Sequence, residues 1–109
     1  MTEEGFFPDN KIEYVYTLQL ESQKWYVGYS QDIETRIASH FIGNGSLWTK
    51  KYKPIEVINV KPGDRILENL ITIALMAKHG FENVRGGKWC KLEMTHPPPP
   101  LQKALKYVT

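Results

Sequence analysis

The sequence predicts a small α/β domain in which helices flank a three-stranded β-sheet. Three runs rich in aromatic and β-branched residues predict the strands, at residues 14–20, 25–27 and 55–60. Two longer stretches repeat apolar residues every three or four positions, as helices with one buried face do. The predicted order is strand, strand, helix, strand and a longer helix.

The first two strands are predicted to form a hairpin. Tyr14 to Leu20 alternates aromatic or branched residues with others, and Trp25-Tyr26-Val27 repeats that bias. The polar residues 21–24 between them suit a hairpin loop. The second strand should end at Gly28, because a helix start follows shortly after it.

The first helix is predicted to begin after Ser30, whose hydroxyl can accept a free backbone N–H. It should bury a stripe of apolar residues four apart, namely Ile33, Ile37 and Phe41. Arg36 and His40 then lie one turn apart on an adjacent polar ridge with Asp32. An ordinary surface ion pair between Asp32 and Arg36 is the simpler interpretation of that ridge.

The third strand and the second helix are predicted to form the core. Residues 55–60 are almost continuously apolar, which suits the central strand of a sheet covered on both faces. Asp64 can cap a helix that runs to about His79 and ends at Gly80. Most of its circumference is apolar, yet Glu68 lies in its interior. Two interpretations of Glu68 are open: it belongs to a solvated polar stripe of the helix, or its carboxylate binds a metal.

Two short motifs make the chain similar to a known family. Tyr14-Val15-Tyr16 and Tyr26-Val27-Gly28 resemble the two halves of the GIY-YIG nuclease signature. Arg36 follows Gly28 by eight residues, as the arginine of that family does, and His40 lies one turn later. The resemblance covers about residues 12–91. Tyr14 and Tyr29 depart from the commoner residues of the signature, and Tyr29 replaces a side chain that can help to position the phosphate or water.

The resemblance implies a DNA endonuclease that depends on a divalent metal, Mg²⁺ or Mn²⁺. It implies that Glu68 binds the metal and that Arg36 holds the scissile phosphate. The tyrosines would deprotonate the attacking water, with Tyr26 favoured and Tyr16 supporting it, or His40 would take the proton through a tyrosine. The implied catalytic residues are Tyr16, Tyr26, Arg36, His40, Glu68 and Asn83, with Asn83 holding the site together by hydrogen bonds.

The predicted DNA contacts come from basic residues near aromatic ones. They are Lys50, Lys51, Lys53, Arg85 and Lys88. Residues 1–34 hold seven acids and two bases, whereas residues 35–109 hold five acids and twelve bases, so one surface should face an anionic partner. Phosphate contacts carry no base information, which predicts weak sequence specificity. A protein partner is one source of any stronger specificity.

Two other interpretations of the chain stay open at this point. A non-catalytic nucleic-acid-binding module would keep the fold, although loss of Arg36 or Glu68 would be its sign and neither is lost. A partner-dependent subunit would use the Pro-rich C-terminal tail. The predicted division is an N-terminal arm at 1–11, the nuclease domain at 12–93 and the tail at 94–109, with 97–100 as a polyproline spacer.

Composition limits the other possibilities. With 41% hydrophobic and 24% charged residues, the 109-residue chain has the composition of one soluble globular domain. Its single cysteine, Cys90, excludes an internal disulfide and a multi-cysteine zinc site. The sequence has no apolar run of about 18 residues and no export signal, so we expect no membrane association and an intracellular location.

Overall fold

The computed structural model of the protein describes residues 12–105, so the predicted N-terminal arm and residues 106–109 lie outside the described range. Four strands are present, β1 Tyr14–Leu20, β2 Lys24–Ser30, β3 Pro54–Pro62 and β4 Val84–Gly86. Four α-helices accompany them, α1 Ile33–Phe41, α2 Leu47–Lys51, α3 Arg65–His79 and α4 Pro99–Leu105. Within the described residues no helix is long and apolar enough to cross a membrane.

The sheet confirms the α/β class but has four strands rather than the three predicted. Its order is β3-β1-β2-β4, with β1 antiparallel to both neighbours and β4 parallel to β2. β4 was missed because it has three residues, one of them a glycine, and pairs with Trp25–Val27 far away in sequence. Local periodicity does not reveal so short a strand.

The predicted central position of β3 is wrong, because β3 is an edge strand. Residues 55–62 are all exposed, including Ile55, Val57, Ile58 and Val60. α3 packs mainly on β2 and β4, and within residues 12–105 no helix packs extensively on β3. The fully buried strand of the sheet is β1, where Val15, Tyr16, Leu18 and Leu20 have no exposed surface.

α3 has the predicted bounds but buries a different face. Asp64 caps it by accepting the backbone N–H groups of Ile66 and Leu67 at 3.0 and 3.1 Å, and Gly80 ends it with a φ of 94°. The apolar Ile66 and Leu70 are exposed, whereas Glu68 and Thr72 are buried with Met76. The face of α3 that carries Glu68 and Thr72 therefore packs against the protein, which places the Glu68 carboxylate in the interior.

The described segment that follows Glu93 packs onto the domain through Met94 and Leu101. Leu101 of α4 is buried with Met76 of α3 and Val84 of β4, and Met94 packs against the same cluster. The prediction that residues 97–100 have no helical structure is wrong for the last two, because Pro99 and Pro100 begin α4. Proline fits there, since the first helical turn has no internal partner for its missing N–H.

Candidate active site

A hydrogen bond between Tyr16 and His40 lies at the centre of the candidate site. Tyr16 Oη and His40 Nε2 are 2.7 Å apart. Both side chains are fully buried, although the residues are 24 positions apart in the sequence. β1 supplies the tyrosine and the last turn of α1 supplies the histidine. A buried bond of this length between a phenol and an imidazole can carry a proton between them.

Tyr26 completes an aromatic cluster around this bond. Its ring centroid lies 4.9 Å from that of His40 and 6.3 Å from that of Tyr16. The hairpin register places Gly28 opposite Tyr16, and a Cβ at Gly28 would overlap the Tyr16 ring. The glycine of Tyr26-Val27-Gly28 therefore makes room for the tyrosine of Tyr14-Val15-Tyr16.

Arg36 and Glu68 approach the tyrosines from two different helices. Each is close enough to change the pKa of Tyr16 and of Tyr26, with Arg36 lowering it and Glu68 raising it. In the described chain Arg36 is half-buried and donates to the Ser39 hydroxyl at 3.4 Å, and it forms no ion pair with Asp32. The simpler ion-pair interpretation of Arg36 is therefore wrong.

Burial sets the ionisation of the central groups. Desolvation, followed by the Tyr26 side chain, raises the pKa of Tyr16, and desolvation also raises the pKa of Tyr26. Desolvation, with a smaller contribution from Arg36, lowers the pKa of His40 to about 4. At neutral pH the two phenols are therefore protonated and His40 is neutral, so the imidazole can accept a proton.

Glu68 is a buried carboxylate with little compensation. Its side chain is 7% exposed, and its cationic neighbour Arg65 is 3.6 Å away on the surface with a side chain that is 73% exposed. Burial raises the pKa of Glu68, while Arg65 and a hydrogen bond from the Gly87 backbone lower it. A desolvated carboxylate with such a weak partner attracts a cation.

The donor set around Glu68 fits a hard divalent cation such as Mg²⁺ or Mn²⁺ better than it fits zinc. The described residues contain no group of three or more His, Cys, Asp or Glu side chains that could hold a metal ion together. Zinc needs three or four such ligands, whereas Mg²⁺ binds through one or two carboxylates and keeps waters and substrate oxygens. A single buried carboxylate therefore fits a hard divalent cation shared with a phosphate.

Two of the predicted site residues lie elsewhere. Asn83 accepts from Lys24 Nζ at 2.7 Å and donates to the His79 carbonyl at 2.8 Å, which links β2 to the end of α3. These bonds do not reach the Tyr16–His40 pair. Arg85 is 2% exposed, so its predicted contact with DNA does not fit its position and we remove it from the DNA-binding set.

Arg85 instead ties distant segments together. Its guanidinium donates to the carbonyls of Phe81, Lys91 and Leu92 at 2.7, 2.5 and 3.2 Å. It also lies 4.3 Å from the centre of the Trp48 ring. The sequence did not reveal this role because the acceptors are backbone carbonyls, two of them in the irregular stretch at 91–92. The other predicted DNA contacts, Lys50, Lys51, Lys53 and Lys88, are exposed.

Several side chains near the candidate site make contacts that the sequence did not predict. Thr49 lies 2.8 Å from His40 Nδ1, and Asn69 accepts from the Lys88 backbone beside Gly87 at 3.1 Å. Cys90 is near enough to raise the pKa of Tyr26. Tyr29 donates to Glu13 at 2.6 Å and stacks under Arg65. The signal for Thr49 in the sequence was its own position, a small polar residue shortly after the turn at 43–46.

Comparison with known proteins agrees with this geometry. A model of the GIY-YIG catalytic domain matches residues 12–65, about half of the chain, and identifies this part of the chain as a GIY-YIG domain. The matched range includes Tyr16, Tyr26, Arg36 and His40 but ends before Glu68. The structure supplies the link to Glu68 by placing it beside the tyrosines. A GIY-YIG domain suggests a nuclease.

Several curated proteins are similar to part of the chain. The UPF0213 protein YazA of Bacillus subtilis is 33% identical over 45 residues, 41% of this chain and 46% of that protein. A UPF0213 protein of Oceanobacillus iheyensis is 40% identical over 48 residues, 44% and 56% of the two chains. The matches span about half the length of these relatives. No solved structure is significantly similar to the chain.

Proposed function

We propose that the protein is a divalent-metal-dependent DNA endonuclease that hydrolyses phosphodiester bonds with weak sequence specificity of its own. One observation carries the proposal, the buried hydrogen bond between Tyr16 and a neutral His40. A phenol whose pKa is raised stays protonated at neutral pH, so it can accept a proton from water only if a second group takes its own proton. The neutral His40, 2.7 Å from Tyr16 Oη, would take that proton. Burying two polar side chains is costly, and packing of the core alone does not require this pair.

The metal would be held by Glu68, and when bound it supplies a positive charge that stabilises the leaving 3′ oxygen. Arg36 would bind the non-bridging oxygens of the scissile phosphate, because its planar fork matches two of them at once. Arg36 also lowers the pKa of both tyrosines, so the same side chain would orient the phosphate and ease removal of a proton beside it.

Tyr16 would activate the attacking water. The sequence favoured Tyr26 for this step, but it is Tyr16 that makes the bond to His40. A water O–H would break toward Tyr16 Oη while the phenolic proton passes to His40 Nε2. The hydroxide would then bond to phosphorus, the P–O3′ bond would break, and the departing 3′ oxygen would take a proton from solvent water, leaving 5′-phosphate and 3′-hydroxyl ends. Tyr26 packs against both partners and would hold their rings in place.

DNA would be held mainly through its phosphates. Lys50, Lys51, Lys53 and Lys88 are exposed and carry no carboxylate partner among the described residues. Such contacts fix the position of the duplex without reading its bases. Selectivity would then depend on DNA shape, such as flaps, junctions or single-stranded ends, or on a protein partner. The single cysteine fits a reducing intracellular compartment.

The direct test is cleavage of plasmid, linear duplex, single-stranded and branched DNA by the purified chain, with Mg²⁺, Mn²⁺ or EDTA. We expect metal-dependent cleavage of at least one DNA and none in EDTA. Glu68→Gln is the matched control, since it removes the charge but little volume. Binding of every DNA without cleavage of any would instead favour a non-catalytic module, and cleavage in EDTA would refute the role of the metal.

A further inference from the structure

His40 makes a second buried hydrogen bond, on the side of the ring away from Tyr16. His40 Nδ1 lies 2.8 Å from Thr49 Oγ1. Thr49 belongs to α2 and is 1% exposed. The two nitrogens of one imidazole are thus both engaged, one by a residue of β1 and the other by a residue of α2. A neutral imidazole has one N–H donor and one bare acceptor nitrogen, so the two bonds must differ in direction.

Ser46 indicates which direction each bond takes. Thr49 Oγ1 lies 3.2 Å from the Ser46 carbonyl oxygen and 3.3 Å from Ser46 Oγ, so its one hydroxyl hydrogen has an acceptor on Ser46 as well as on His40. When that hydrogen points to Ser46, Thr49 Oγ1 accepts the Nδ1–H of His40, and the bare Nε2 accepts the Tyr16 O–H. With the hydrogen on Nε2 instead, the Tyr16 O–H would have no acceptor among the side-chain hydrogen bonds of the described residues, which favours the first arrangement.

We propose that Thr49, oriented by Ser46, is a positioning residue that keeps His40 in its Nδ1–H tautomer so that Nε2 is always ready for the Tyr16 proton. The catalytic consequence rests on the proposed nuclease function, whereas the tautomer itself does not. In the opposite tautomer Nε2 would carry the hydrogen and donate to Tyr16. The phenolic proton would then have no acceptor on His40.

The local backbone is shaped around this contact. Ser46 caps α2 by accepting the Thr49 backbone N–H at 3.2 Å, so one residue both starts the helix and orients the threonine hydroxyl. A Cβ at Gly45 would overlap both His40 Nδ1 and Thr49 Oγ1. The turn therefore closes directly over the hydrogen bond, and glycine is required there.

The tautomer accounts for the complete proton path. As the water proton reaches Tyr16 Oη, the phenolic proton moves to Nε2, and His40 becomes an imidazolium with hydrogens on both nitrogens. Thr49 Oγ1 still accepts from Nδ1–H, so its bond becomes charge-assisted as the positive charge forms. The imidazolium later returns its proton to solvent. The titratable groups that face His40 are Arg36, Tyr16 and Tyr26. The positive charge of Arg36 favours this return, because it disfavours the imidazolium.

The proposal is tested on the full chain with three variants. Thr49→Val removes the hydroxyl at nearly constant size, and Thr49→Ser keeps it. Thr17→Val makes the same change at another buried threonine, on β1, that is not hydrogen-bonded to His40. Long-range ¹H–¹⁵N spectra of ¹⁵N-histidine-labelled protein report the tautomer without DNA or metal, and single-turnover cleavage across pH reports the catalytic effect.

We expect the Nδ1–H tautomer in the wild type, Thr49→Ser and Thr17→Val, and its partial or complete loss in Thr49→Val. Cleavage by Thr49→Val should fall by roughly tenfold or more without a matching rise in KM, because proton transfer typically contributes about 10²–10⁴-fold. Thr49→Ser should restore most of the rate. A wild-type Nε2–H tautomer, or an unchanged tautomer in Thr49→Val, would overturn the proposal. If the proteins show the expected tautomers but the wild type cleaves no DNA, the nuclease function is refuted and the assignment of the tautomer stands.

Discussion

Burial of His40 makes the stability of the fold depend on pH in a predictable way. The pKa of His40 is about 4 in the folded protein and 6.5 in its ordinary state. Between these values the unfolded chain binds a proton that the folded chain does not. This contribution to stability is therefore fully present above about pH 6.5 and is lost progressively as the pH falls toward 4.

The size of the effect follows from the shift in pKa. One pKa unit corresponds to about 1.4 kcal/mol, so the whole shift from 6.5 to about 4 is worth about 3.5 kcal/mol, and roughly 2.5 kcal/mol of it is lost by pH 4.5. Glu68 acts in the opposite sense, because its raised pKa favours the folded state at low pH. Comparison with a variant that lacks His40 separates the contribution of the histidine to the pH dependence from the contributions of Glu68 and the other carboxylates.

The assay is urea unfolding of the wild type and His40→Gln at intervals from pH 7 to 4.5. The free energy of unfolding of the wild type should fall by about 2.5 kcal/mol more than that of the variant over this range. The variant is expected to be less stable at pH 7, because it loses a buried ring. Parallel curves for the two proteins would refute a neutral, buried His40 and the proton path built on it.

Four further outcomes are expected. Glu68→Gln should abolish metal-dependent cleavage while leaving folding and DNA affinity nearly intact, and undiminished Mg²⁺-dependent cleavage would remove Glu68 from the site. Arg36→Lys keeps the charge but not the fork and should slow cleavage by roughly 10²-fold, about 2.7 kcal/mol; a wild-type rate with a lowered Tm would mean a structural role. With about four phosphates neutralised, log K for duplex DNA should fall against log[salt] with a slope near −3.6, and Lys50→Ala or Lys51→Ala in a Glu68→Gln background should each reduce that slope by about one; tight, salt-insensitive binding to one sequence would contradict this. Arg85→Met should leave the salt slope unchanged and lower the free energy of unfolding by roughly 2 kcal/mol or more, since several buried carbonyls lose their donor, whereas Lys88→Met should show the reverse pattern.

Much of the candidate site could be predicted from the sequence, because most of its residues lie close together along the chain. The two tyrosine motifs lie on one hairpin, and helical periodicity places Arg36 and His40 one turn apart. Glu68 could be selected as the interior carboxylate of an apolar helix. What periodicity could not supply was the face that α3 buries, since Ile66 and Leu70 look like core residues and are exposed.

The remaining features depend on long-range contacts. β3 looks like a central strand because it is apolar, but its position is decided by which strands α3 covers. Arg85 looks like a surface cation because its acceptors are backbone carbonyls in an irregular loop. The contact between Thr49 and His40 could not be predicted, because it forms only when the turn at 43–46 packs over the histidine. Neither backbone acceptors nor tertiary hydrogen bonds leave a spacing pattern in the sequence.

The most direct test of the central claim is single-turnover cleavage by Tyr16→Phe in Mg²⁺. This change removes one oxygen atom, the one that lies 2.7 Å from His40 Nε2, and leaves the ring that packs over Gly28. The account predicts folding and DNA binding close to those of the wild type and a loss of rate of roughly 10²-fold or more. Tyr26→Phe is the matched control, and it should lose less. Cleavage by Tyr16→Phe at the wild-type rate would contradict the account.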